Sequence, residues 1–175
     1  MELADLIKQL REDTSAGFSD CKKALESCQG DIKKAKEFLR KKGLEVVAKK
    51  SNKEASDGRI EAYIHLGNKI GVLVEVNSQT DFVARNEEFC KFSRDVAMQI
   101  AATNPKYISD IDIPGDKLSE LSGQDKELFI KENCLLRQPF IKDPSLTIED
   151  YRNSLIAKFG ENIIIKRFTR FKLGE

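Results

Sequence analysis

The chain has 175 residues, 40% of them hydrophobic and 34% charged, with a net charge of +1. That composition suits one ordinary domain, or a small domain with a medium one, and excludes disorder along the whole length. No run approaches the ~20 consecutive apolar residues needed to span a bilayer, and a strongly basic nucleic-acid-binding domain is absent.

The opening Met1-Glu2-Leu3-Ala4-Asp5 is acidic and at once amphipathic. It reads as neither a signal nor a transit peptide, so a cytoplasmic location is expected. Leu3, Leu6, Ile7 and Leu10 recur at helical spacing and share one face. Small and turn-forming residues from Thr14 to Ser19 end this first helix, and Ser19 is a suitable N-cap for a second carrying Cys21, Ala24 and Leu25. Gly30 stops the second helix, and Asp31 caps a third with Ile32, Ala35, Phe38 and Leu39 on its inner face. Residues 1–42 are therefore expected to form a three-helix bundle resembling the ubiquitin-associated (UBA) type, too small to be robust alone. Residues 43–57, with Lys49-Lys50-Ser51-Asn52-Lys53 at their centre and only Leu44, Val46 and Val47 as an apolar cluster, read as a charged linker between two domains, with room for some helix.

The second domain, residues 58–175, opens with a hairpin. Ile60, Ala62, Ile64 and Leu66 alternate with Glu61, Tyr63 and His65, which predicts a half-buried strand with the apolar set inward. Gly67-Asn68 supplies the turn, and the nearly continuous apolar run Ile70–Val76 follows as a central strand. From Asp81 to about Thr103 the period is helical, through Phe82, Phe89, Phe92, Val96 and Ile100, until Asn104-Pro105 ends it. A loop leads to a further helix over about 116–137, and Thr147 caps a short one running to Phe159. The stretch from Ile163 to Leu173 supplies a third antiparallel strand. The fold class is α+β: the N-terminal bundle, the linker, then a small antiparallel sheet of about three strands covered by helices.

Little here points to catalysis or metal. Cys21, Cys28, Cys90 and Cys134 form no C-x-x-C pair and match no usual zinc spacing; they read as small hydrophobes. His65 is the sole histidine and falls on the polar face of its strand. Paired carboxylates, a phosphate-binding glycine loop and a Ser-His-Asp set are all missing, so neither an enzyme nor a cofactor site is expected.

The strand-to-helix corner at Thr80-Asp81-Phe82-Val83 carries the most information. Asn77, Ser78 and Thr80 favour turn geometry, and Asp81 is a natural N-cap. Spacing leaves two arrangements open for Phe82. It can pack down with Phe89 and Phe92, or Val83 can anchor the corner while Phe82 faces out.

Two long segments resemble the elongation factor Ts family. Leu10-Arg11-Glu12-Asp13-Thr14-Ser15-Ala16-Gly17-Phe18-Ser19-Asp20-Cys21-Lys22-Lys23-Ala24-Leu25 is similar to its N-terminal signature, with Ser15 where the family has glycine. Glu75-Val76-Asn77-Ser78-Gln79-Thr80-Asp81-Phe82-Val83-Ala84-Arg85 resembles its second signature without a break. Segments near Gln138–Asp143, Gly160–Ile163 and Arg167–Phe171 are similar as well, so the resemblance runs from near residue 3 to the C-terminus.

The resemblance implies a non-enzymatic guanine-nucleotide exchange factor that binds EF-Tu in its GDP-bound and nucleotide-free forms. It implies that Thr80, Asp81, Phe82 and Val83 engage EF-Tu near its Mg²⁺ and nucleotide site, and that the bundle touches EF-Tu around Thr14–Lys23. Many family members carry a second core subdomain that is lacking here, which implies that two chains pair as a homodimer through the 58–175 domain. Neither membrane nor direct nucleic-acid binding is expected. Against this stand a ubiquitin-binding adaptor, suggested by Ala16-Gly17-Phe18, an enzyme using His65 or a cysteine, and an RNA-binding sheet.

Overall fold

The protein is described from a computed structural model, which covers residues 3–14 and 16–175. Ser15, and with it the turn where the family has glycine, lies outside the described residues. Two units are distinguished: Met1–Glu54 with Asn153–Asn162, and Ala55–Arg152 with Ile163–Glu175.

The first unit holds α1 (Leu3–Thr14), α2 (Phe18–Ser27) and α3 (Ile32–Lys50). Its core is Ile7, Leu10, Cys21, Ala24, Leu25 and Ala35, with Leu6, Ala16, Cys28, Ile32 and Leu39 packed around it. Leu3 and Phe38, expected inside, are exposed, because three short helices enclose only a narrow core. The cap of α2 is Gly17, not Ser19: its carbonyl accepts from the Asp20 and Cys21 N–H groups at 3.1 and 3.0 Å. Asp31 caps α3 as its residue type predicts, its carboxylate accepting from the Lys34 N–H at 3.0 Å.

The stretch read as a linker is helical over its first half. α3 runs through Gly43 to Lys50, with Val46 and Val47 half-buried. A Cβ at Gly43 would lie 3.4 Å from that of Ala157. Beyond α3, the Asn162 side-chain amide donates to the carbonyls of Ser51 (3.2 Å) and Lys53 (2.8 Å). The half-buried valines and this amide hold the segment in place.

The second unit contains β1 (Asp57–Ile64), β2 (Ile70–Ser78), α4 (Asp81–Ala84), α5 (Glu87–Thr103), α6 (Gly115–Ser119), α7 (Gly123–Asn133), β3 (Pro139–Phe140), β4 (Asp143–Thr147), the start of α8 (Ile148–Phe159) and β5 (Ile164–Lys172). The sheet is antiparallel in the order β1-β2-β5, confirming the α+β class. Val72, Val74 and Val76 of β2 are buried on the side where α5 packs, as are Phe89, Phe92, Val96 and Ile100 of α5. Tyr151 sets its ring edge-on to Phe92 at 4.9 Å between centroids. The buried Asp95 carboxylate accepts from Lys142 Nζ at 2.6 Å and the Tyr151 hydroxyl at 3.3 Å.

Two helices differ from their expected extents. The run 81–103 is broken at Arg85-Asn86, where the Asn86 side chain accepts from the Glu88 N–H at 2.9 Å and opens α5. The span 116–137 is split into α6, α7 and a 3₁₀ turn (Leu135–Arg137), with Gly123, the first residue of α7, at φ +54°. Thr147 and Asp150 bond reciprocally at the head of α8, the expected cap.

The first strand has its faces inverted relative to the alternation reading. Glu61 is buried beneath α5, paired with Arg59 at 2.6 Å and Arg94 at 3.7 Å. Ile60, Ile64 and Leu66 face outward instead.

Candidate functional site

The site is built on the corner between β2 and α5. β2 ends in Ser78, a fully buried residue whose hydroxyl donates to the Thr80 carbonyl at 2.9 Å. Thr80 is extended (φ −131°, ψ 155°) and occupies the N-cap position expected of Asp81. Asp81 is the first residue of α4, and its carboxylate pairs with Arg85 one turn on at 3.0 Å. The turn closes through Ala84 N–H to Thr80 O (3.2 Å), Arg85 N–H to Asp81 O (3.0 Å) and Asn86 N–H to Val83 O (3.0 Å).

Burial decides between the two arrangements of Phe82. Val83 and Ala84 are 9% and 6% exposed, whereas Phe82 is 84% exposed. Val83 anchors the corner and the phenyl ring stands in solvent. Of the four residues expected to face a partner, Thr80, Asp81 and Phe82 lie together at the surface. Val83 is turned inward and cannot offer its side chain there. One exposed apolar side chain is ordinary; what sets Phe82 apart is the fixed base beneath it. Cys90 adds to that base, its thiol contacting the Ala84 carbonyl at 3.7 Å and the Arg59 guanidinium.

Sequence spacing gave no sign of the Ser78 bond or the Asp81–Arg85 pair. The Asn86 cap followed by Glu87-Glu88 was a readable signal for a new helix.

A second surface lies on the open face of the sheet. Register places Ala62 opposite Leu73 and Ile64 opposite Gly71, with Leu73 in turn opposite Thr169 and Gly71 opposite Phe171. Ile60, Ile64, Leu73 and Phe171 are 67%, 62%, 47% and 70% exposed. The Glu75–Arg167 ion pair (2.7 Å) borders this apolar area on one side, and the guanidinium holds the Glu75 carboxyl below the usual carboxylate range.

Two of the remaining candidates, Cys21 and Cys134, are buried. Burial pushes the Cys134 thiol up to about 11 and raises Cys21 as well, keeping both protonated in their cores. His65 is exposed, its Nδ1 at 3.1 Å from the Tyr63 hydroxyl. Among the described residues no group of three or more His, Cys, Asp or Glu side chains could hold a metal, and no helix is long and apolar enough to cross a membrane.

The family described as Elongation factor TS matches the chain over residues 6–127 and 121–175. The chain belongs to the elongation factor Ts family. It is 50% identical to an elongation factor Ts of Desulfosudis oleivorans over 194 aligned positions, covering 98% of each chain. A relative of the same name from Caldanaerobacter subterraneus is 50% identical, covering 98% of this chain and 96% of the relative. One from Carboxydothermus hydrogenoformans is 47% identical over 100% of this chain and 90% of its own. Elongation factor Ts membership assigns the chain to translation elongation, and both signature segments lie within the matched residues.

Proposed function

We propose that the chain is the guanine-nucleotide exchange factor for EF-Tu. It binds EF-Tu·GDP, disturbs the Mg²⁺ and phosphate site, and so promotes release of GDP and its replacement by GTP. The observation that carries this reading is the outward Phe82 on a fixed corner, with Thr80 and Asp81 beside it. A rigid ring delivers a large contact area with little loss of rotamer freedom, which suits a wedge entering a nucleotide site. Val83 holds the corner from below.

The action is non-covalent, so the chain is not an enzyme and needs no cofactor. Bound nucleotide and bound factor weaken each other by the same factor, as linkage requires. The direction of exchange then follows from the nucleotide concentrations in the cytoplasm. In the first unit, Phe18 is exposed beside α1, at a groove also lined by Ile7, Lys8, Arg11 and Ala16. This surface supports a second contact with EF-Tu around Thr14–Lys23.

The deciding measurement is release of a fluorescent GDP from EF-Tu. Acceleration that saturates with factor concentration is expected, and excess GDP should dissociate the complex. No acceleration would overturn the reading.

The open sheet face supports the homodimer: pairing two such faces removes Ile60, Ile64, Leu73 and Phe171 from water, at about 25 cal/mol per Å² of apolar area. Sedimentation equilibrium should give twice the chain mass for the wild type and the single-chain mass for a Leu73→Lys/Phe171→Glu variant. A single-chain mass for the wild type together with full exchange activity would exclude it.

A further inference from the structure

We propose that Ser78 is a positioning residue for Phe82, setting the direction in which the ring is presented; this rests on the reading of Phe82 as the wedge. α4 is four residues long, far too short to hold itself as a helix. Its orientation must come from what it is attached to.

Several attachments hold it, and they differ in kind; at its far end the Asn86 N–H donates to the Val83 carbonyl at 3.0 Å. Val83 and Ala84 are buried, but apolar contact is non-directional and permits rotation and sliding. The Asp81–Arg85 pair is internal to the turn and moves with it; an exposed pair of this sort contributes little. The Cys90 thiol is a weak donor to the Ala84 carbonyl at 3.7 Å. The Ser78 hydroxyl is a full-strength donor, fully buried and only 2.9 Å from its acceptor.

The acceptor matters more than the distance. The Thr80 carbonyl receives both the Ser78 hydroxyl and the Ala84 N–H, the first helical hydrogen bond of α4. One oxygen therefore joins the end of the central strand to the start of the wedge helix. Ser78 is the last residue of β2, paired with Asp57 of β1 and followed by the corner. The sheet is thus the reference frame against which the ring is aimed.

Removal of the hydroxyl leaves Phe82 exposed but aimed correctly for a smaller fraction of the time. The apparent dissociation constant rises as the inverse of that fraction, while the limiting release rate at saturating factor is kept. For Ser78→Ala the half-saturating concentration for GDP release from EF-Tu should rise about 3–10-fold, the range set by one buried hydrogen bond. Ser78→Cys, of similar shape with a weaker donor, should fall between wild type and alanine, and it keeps the question answerable if the alanine variant folds poorly.

The decisive test is a double-mutant cycle with Phe82→Ala, read with the thermal midpoint of each variant. If Ser78 acts through the ring, Ser78→Ala has no further effect once Phe82 is alanine. An equal loss with and without Phe82 would mean that Ser78 serves the fold alone, and the proposal falls. A Phe82→Ala protein with undiminished exchange would remove the wedge itself, and Ser78 would lose its role with it.

Discussion

A Phe82→Ala protein is expected to fold normally and to show a half-saturating concentration raised, or a rate of GDP release from EF-Tu lowered, by about 30-fold or more. The fold is spared because the ring is 84% exposed, so its removal opens no cavity and uncovers no core. The loss is large because a buried aromatic at the centre of an interface typically contributes 2 kcal/mol or more, and each ~1.4 kcal/mol is tenfold. Stopped-flow release of a fluorescent GDP measures it, and circular dichroism with a melting curve shows whether the fold is retained. Wild-type exchange by a folded alanine variant would leave the family assignment standing and remove the wedge.

The largest effect on stability is expected at Gly58. Its φ of +144° lies in a region that side chains rarely enter, and an added Cβ would sit 2.3 Å from the Val76 carbonyl oxygen and 2.7 Å from the Asn77 Cα. Both obstacles are backbone of β2, so relief requires β1 to part from the strand that carries the corner. Strained backbone alone costs about 1–3 kcal/mol, and the overlap adds to it. Gly58→Ala should destabilise the sheet unit by more than ~3 kcal/mol and lower its thermal midpoint by roughly 10 °C or more. Gly67→Ala is the control: φ is +87° there but nothing lies within 4 Å, so only the conformational cost applies. Equal midpoints for the two variants would show that the close approach at Gly58 is unimportant.

Much of the architecture was legible in the residues. Period-2 alternation, Gly67-Asn68 and the run from Ile70 located the hairpin, and Ile163–Leu173 supplied the third strand. Alternation states which residues share a face, however, and not which face the helices cover. In β1 the decision was tertiary: Arg59 and Arg94 neutralise Glu61 beneath α5, leaving the isoleucines outside. A pattern rule that always buries the apolar set fails where a paired charge takes the inner face.

At the site the same limit applied. Helical spacing joined Phe82 to Phe89 as though one helix ran through both, and the Asn86 cap broke that continuity. Once α4 ended at Ala84, Phe82 was no longer bound to the face of α5, and Val83 could take the buried position. The Ser78 hydroxyl and the Arg85 pair depend on turn geometry that residue types alone do not fix.

The order of the strands also bears on how the chain is made. β2 lies between β1 and β5, and Leu73 pairs with Thr169, nearly a hundred residues later. At synthesis rates of about 5–20 residues per second, the hairpin would wait roughly 5–20 s for its outer strand. During that interval α1 to α3 can assemble from local contacts, whereas β2 keeps one edge of unpaired N–H and C=O groups. Such an edge is a template for foreign strands. Arrival of Ile164–Lys172 therefore covers that edge of the central strand and leaves β1 and β5 as the edges of the sheet.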